Sequence, residues 1–103
     1  MSLAQIEYFV AVAEEGHVGR AARKLHVAQP AVSRQIRRLE DELRTPLFVR
    51  TPRGMSLSGA GLTFLTHARG ILGSIEAARE AVFDVAGEVH ASRSDLGIAR
   101  LRR

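Results

Sequence analysis

The chain has no cysteine. Disulfides and cysteine-based zinc sites are therefore excluded, and a reducing compartment such as the cytoplasm suits it. Long apolar runs are also missing. The longest, Tyr8 to Ala13, is six residues between Glu7 and Glu14, whereas a membrane-spanning helix needs roughly 20. No cationic leader opens the sequence, so no signal peptide is expected. Internal repeats are absent, and the 46% hydrophobic and 25% charged residues are ordinary for a globular protein. A length of 103 residues allows one small domain. So short a chain leaves little core from which to enclose an enzyme pocket.

Catalytic constellations are missing too. The four histidines, His17, His26, His67 and His90, share no metal-ligand spacing, and no carboxylate completes a triad with them. Met55 to Gly59 lacks the glycine pattern of a nucleophile elbow. Gly54, Gly59 and Gly61 are followed by no Lys-Ser/Thr pair, so they form no phosphate-binding loop. Glu40, Asp41 and Glu42 read as a solvated helix face beside Arg37, Arg38 and Arg44, not as a metal site. No catalytic residue, metal or cofactor is expected.

What is present is positive charge, unevenly placed. Fifteen bases against eleven acids give a net charge of +4. Residues 1–16 hold three acids and no base, whereas residues 17–53 hold nine bases and three acids, a net +6. Residues 54–103 hold six bases and five acids. A basic middle segment points to a polyanion. Fourteen of the fifteen bases are arginine, which fits either recognition of phosphate and guanine or simply a GC-rich genome.

Apolar spacing predicts the elements. Leu3, Ile6, Phe9, Val10 and Ala13 give one face of a helix over 3–15, closed by Gly16. Val18, Ala21, Ala22 and Leu25 predict a second helix over 18–25. Pro30 fits the first turn of a third helix starting near Gln29, whose apolar stripe is Val32, Ile36, Leu39 and Leu43. Pro46 is expected to stop it. Two short strands, Leu47 to Arg50 and Met55 to Leu57, flank the turn signal Thr51-Pro52-Arg53-Gly54. Ser58 suits an N-cap. From Gly59 to about Val89, Leu65, Ala68, Leu72, Ile75, Arg79, Val82, Ala86 and Val89 alternate at three and four residues. That is a heptad seam with one charged member, and it calls for a second copy of the chain or a fold back onto the first three helices. From His90 the pattern fades.

Two short helices joined tightly, the second opening on a polar and basic face, describe a helix-turn-helix. Val32 and Ile36 would face the domain. Gln29, Pro30, Ser33, Arg34 and Arg37 would face a major groove, where Gln pairs with adenine, Arg with guanine, and proline meets a thymine methyl. Arg38 would sit at phosphate. Arg53, at the hairpin tip, would suit a narrow minor groove. Two alternatives stay open. Arg34, Arg37 and Arg38 could instead pair with the neighbouring acids, and Arg50 could bind a carboxylate of its own domain.

The strings YFVAVAEEG (Tyr8–Gly16), AARKLHVAQPAVSRQIRRLEDEL (Ala21–Leu43) and PLFVRTPRGMSLSGAG (Pro46–Gly61) strongly resemble the LysR-type transcriptional regulators, from about Leu3 to Ile75. The resemblance implies a mainly α fold: a winged helix-turn-helix of three helices plus a two-stranded wing, followed by a long dimerisation linker helix. It implies a DNA-binding domain over 1–58, with the helix-turn-helix at about 18–37 and the wing at about 46–57. The linker follows over 59–89, then a tail or the start of an effector domain over 90–103. Family base contacts fall on Gln29, Pro30, Ser33 and Arg34, with the wing arginine at Arg53. The implied function is sequence-specific binding of double-stranded DNA in transcriptional regulation, as a homodimer on an interrupted palindrome in the cytoplasm. Leu65, Ala68, Leu72, Ile75 and Val82 would carry the dimer. No membrane and no small-molecule ligand are expected for these residues. A helical module that pairs with a full-length regulator, or a non-specific nucleic-acid binder, are the other classes. The chain departs from the family pattern at His17, Val18 and Gly19, where Ser, a bulky aromatic and Thr or Ser are usual. Those departures predict a loosened start to the second helix. Val49 stands where an acid is common.

Overall fold

The computed structural model describes residues 1–91; the expected tail over 92–103 lies outside them. The order is α1 (Leu3–Glu15), α2 (Val18–Leu25), α3 (Gln29–Leu43), β1 (Phe48–Thr51), β2 (Gly54–Leu57) and α4 (Gly59–Ala91). Residues Met1–Gly70 pack as one unit, and α4 continues beyond it. Mainly α architecture with a two-stranded antiparallel wing is therefore observed.

Each helix starts and stops for a local reason. Ser2 and Gln5 form a reciprocal capping box at the start of α1, with Ser2 Oγ accepting from Gln5 N at 3.1 Å and Gln5 Oε1 from Ser2 N at 3.0 Å. Gly16 closes α1 in the left-handed region, φ 68°. Helix α3 has Pro30 in its first turn and no side-chain cap. It ends at Leu43, before Pro46 can act. Arg44 turns left-handed at φ 58°, and its N–H and that of Thr45 return to the carbonyls of Asp41 and Glu40. Satisfying those last carbonyls is what stops the helix.

The wing pairs Phe48 with Leu57, Val49 with Ser56, Arg50 with Met55 and Thr51 with Gly54. Its strands run one residue further toward the tip than their apolar pattern suggests. Thr51 Oγ1 donates to Gly54 O at 3.2 Å and accepts from Arg53 N at 3.3 Å, so the polar turn residues extend the ladder. Ser58 Oγ accepts from Gly61 N at 3.0 Å, the expected cap for α4.

Phe9, Val12, Val32, Leu39 and Leu47 are the large side chains buried most completely. Phe9 has the Phe48 and Phe64 rings at 5.2 Å and 4.9 Å, tilted and edge-on, which ties α1 to β1 and to the first turns of α4. Two close backbone approaches complete the frame. Met55 N donates to Gly16 O at 3.0 Å, joining the wing to the α1–α2 turn. A Cβ on Gly61 would lie 2.0 Å from Leu47 O, so only glycine lets α4 start against the backbone that enters β1.

Candidate nucleic-acid interface

Helices α2 and α3 are joined by three residues. His26 takes φ 59° and donates its N–H to the Ala22 and Arg23 carbonyls, while Val27 N returns to Ala22 O at 3.0 Å. The C-terminus of α2 is thereby closed, and α3 leaves the turn at Gln29. Its buried stripe is Val32, Ile36 and Leu39. Rotation by about 100° per residue puts Gln29, Pro30, Arg34, Arg37 and Arg38 on the other side, where all are exposed. Ser33 is half-buried. Arg50 and Arg53 are exposed on the wing.

The structure brings some of these residues together. Ser33, Arg37 and Arg50 line one cleft, closed behind by Ile36 and Phe48. Gln29, Arg50 and Arg53 line a second, wider one of about 310 Å³ between the start of α3 and the wing tip. Pro30, Arg34 and Arg38 line neither of these clefts and project from α3. Among the described residues, no ion pair holds Arg34, Arg37, Arg38, Arg50 or Arg53; the pairs present involve Arg20, Lys24, Arg69 and the N-terminus. The alternative pairings left open for these arginines are therefore not formed. A set of exposed guanidinium groups remains, with every donor open to an anion.

Three residues near this face have roles that the sequence reading missed. His17 caps α2: its Nδ1 accepts from Gly19 N at 3.0 Å and Arg20 N at 3.3 Å. The expected loosening of the helix start is therefore not found, because the imidazole supplies the acceptor that a serine hydroxyl would. Gly19 belongs to the same device. A Cβ there would meet His17 Cε1 at 3.0 Å and Gln29 Oε1 at 3.3 Å, so the larger cap needs the smaller neighbour. Glu40 is not a freely solvated acid. Its Oε2 accepts from Leu47 N at 2.7 Å and Phe48 N at 3.3 Å, which anchors the wing to α3. The signal for Glu40 was an acid eight residues before a strand whose entering amides have no helical partner.

The seam residues separate by environment. Ala68 is fully buried within its own protomer and Leu65 is half-buried. Leu72 and Ile75 are half-buried, and Val82 is 65% exposed. Phe83 is 71% exposed; at four residues from Arg79 it falls on the same face as Leu72 and was not among the expected seam. The side chain of Val89 lies beyond those described. Among the described residues no cluster of metal-ligating side chains occurs, and no helix is long and apolar enough to cross a membrane.

Residues 3–62 match the model of the bacterial regulatory helix-turn-helix protein, lysR family. The chain belongs to that family. It is 52% identical over 79 residues to the HTH-type transcriptional regulator ClcR of Pseudomonas putida, a match that covers 77% of this chain and 27% of that protein. The chain thus corresponds to about a quarter of the length of that relative. Among solved structures it is similar to the CbnR_DBD–DNA complex, with TM-score 0.77 and 41% identity over 84% of this chain and 99% of that one. It is similar also to the BenM_DBD/catB site 1 DNA complex, with TM-score 0.80 and 37% identity over 84% and 97% of the two chains. For a lysR-family chain, His17 and Gly19 stand out as a pair: the imidazole caps α2 and the bare Cα beside it makes room for the ring.

Proposed function

We propose that this lysR-family chain binds double-stranded DNA in a sequence-specific manner to regulate transcription, and that it does so in the cytoplasm as a dimer. Binding, not catalysis, is its task. The observation that carries the reading is the exposed, unpaired face of α3, backed by a fully buried stripe and flanked by an arginine-tipped wing. Residues 1–58 would form the reader. Gln29, Pro30, Ser33 and Arg34 would address base edges in a major groove, because their side chains carry the matching donors, acceptors and apolar edges. Arg37, Arg38 and Arg50 would hold phosphates and fix register. Arg53 would enter the adjoining minor groove, most favourably where A·T-rich sequence narrows it. Relatives named as regulators, and two similar domains solved with DNA, support the reading.

The pairing surface would lie on α4 over 59–89. Leu72, Ile75 and Val82 repeat at heptad spacing, and Phe83 widens the stripe. Leu65 and Ala68 extend the same register into the protomer's own packing. Two copies joined this way would set the distance between half-sites.

Selection from random duplex DNA at moderate salt tests the reading. An enriched interrupted palindrome is the expected result. Binding that only fades with salt, with no enriched sequence, would make the chain a non-specific nucleic-acid binder. Stable pairing without DNA affinity would make it a dimerisation module for a longer regulator.

A further inference from the structure

The cap on α2 fixes the chemistry of the rest of the His17 ring. A ring nitrogen that accepts hydrogen bonds carries no proton. Because Nδ1 accepts from Gly19 N and Arg20 N, the ring is neutral and its proton is on Nε2. One edge of the ring, at Cε1, is 3.0 Å from where a Cβ on Gly19 would stand, and Gln29 Oε1 is 3.3 Å from that same point. The other, at Cδ2, is 3.8 Å from where a Cβ on Gly54 of the wing would stand. Nε2 lies between these two carbons. The ring lines the cleft shared by Gln29 and the wing residues Arg50 to Met55. No protein acceptor takes its N–H among the described residues, and no buried side-chain nitrogen is left without a partner, so Nε2 reaches solvent in that cleft.

We propose that His17 is a DNA contact in its own right: a neutral donor of fixed tautomer that gives its Nε2–H to a backbone phosphate crossing the cleft between α3 and the wing. The proposal rests on the DNA-binding reading above. Its ligand is an anionic phosphodiester oxygen, the acceptor class that the neighbouring exposed arginines also suit. The role differs from theirs in one measurable respect. An arginine that neutralises a phosphate contributes about one unit to the slope of log K against log salt, whereas a neutral donor contributes affinity with little slope. The same ring also ties function to folding, since the bond that caps α2 is the one that aims the donor.

The test uses the whole chain and the duplex enriched by the selection. His17→Ser retains a capping oxygen near the position of Nδ1 and stops short of the cleft. The expected result is a thermal midpoint close to that of the parent, an affinity about ten- to a hundredfold lower, as one hydrogen bond to a charged acceptor implies, and an unchanged salt slope. Unchanged affinity would reduce His17 to a cap and overturn the proposal. So would a fall of about one unit in the slope, the mark of a cationic contact. Nitrogen-15 spectra of the unaltered protein give a reading that does not depend on a variant folding. They should show the Nε2–H tautomer, with that proton shifting and slowing in exchange when the duplex is added. The Nδ1–H tautomer, or an Nε2–H indifferent to DNA, would overturn the proposal. A parent chain that enriches no duplex at all would instead overturn the DNA-binding reading itself.

Discussion

Glu40→Ala removes the carboxylate that hydrogen-bonds the start of the wing to α3. Leu47 and Phe48 are 1% and 7% exposed, so their amides have little access to water once the carboxylate is gone. A hydrogen bond to a charged group contributes about 1.5–3 kcal/mol net. The bond to Leu47 N at 2.7 Å belongs in that range; the one to Phe48 N at 3.3 Å is longer and shares the same oxygen. The small cleft beside Glu40 and Phe48 also lets a water molecule recover part of the loss. Together these terms set the cost of Glu40→Ala at about 2–3 kcal/mol of stability. Glu40→Gln retains an acceptor and loses the charge, so about half of that is expected. Urea unfolding at fixed protein concentration measures both, and amide exchange at Leu47 and Phe48 locates the loss.

The same anchor has a consequence for DNA. If Glu40 acts on affinity by holding the wing, its effect must pass through Arg53. In a double-mutant cycle, Glu40→Ala should weaken binding in the parent and have little effect once Arg53→Ala has removed the tip. Additive losses would refute the wing pathway. A stability change below about 0.5 kcal/mol, the scale of an ordinary surface substitution, would refute the anchoring role altogether.

Other perturbations test other parts of the frame. Arg34→Ala should cost about 1–3 kcal/mol on the selected site and relax preference at one base pair; an equal loss on unrelated duplexes would assign Arg34 to phosphate. Gly54→Ala would place a Cβ 2.3 Å from Gly16 O at φ 136°. The backbone strain alone should lower stability by about 1–3 kcal/mol, and a thermal midpoint equal to that of the parent would contradict the close approach. Leu72→Asp should convert dimer to monomer in light scattering, because a carboxylate in a dry seam goes uncompensated; a persistent dimer would move the pairing surface off this face.

The helices were legible because their apolar residues recur at the period of the helix, and burial follows that period on α2 (Val18, Ala21 and Ala22) and α3 (Val32, Ile36 and Leu39). On α1, Ile6, Phe9 and Val10 are buried as expected, but Leu3 is exposed, and Ala11 and Val12, outside the expected face, are buried as well. The exposed face of α3 followed by subtraction. Ends were harder to read. Pro46 is a strong punctuator, yet the left-handed turn at Arg44 stops α3 first, and a non-glycine residue there leaves no mark in the sequence. His17 was misread because capping tables favour serine, and a histidine caps only when its Nδ1 happens to face the helix. Its dependence on Gly19 is a spatial fact, invisible until the ring is placed. Glu40 was misread because its partners are backbone amides seven and eight residues away, which carry no residue identity. Phe83 escaped because a strict heptad admits two positions in seven, whereas the exposed stripe on α4 is wider.

The contacts absent from the sequence reading have a common character. His17 acts on the first turn of α2, Glu40 on the first amides of β1, Gly16 on the amide of Met55, and Gly61 on the carbonyl of Leu47. Each is a contact with main chain: a local cap for His17, and a tie between two segments for Glu40, the Gly16 carbonyl and Gly61. Such contacts set angles between elements, not the elements themselves. Reading a duplex depends on those angles, because a recognition helix and a wing must meet grooves whose separation the DNA dictates. Apolar burial would tolerate a wing rotated by a few degrees; hydrogen bonds that weaken steeply with misalignment would not. The polar ties therefore carry the geometry that the buried stripe leaves free. Substitutions at them should alter affinity more than their share of stability predicts, whereas core truncations such as Leu39→Ala should lower stability first and affect DNA only by depleting the folded chain.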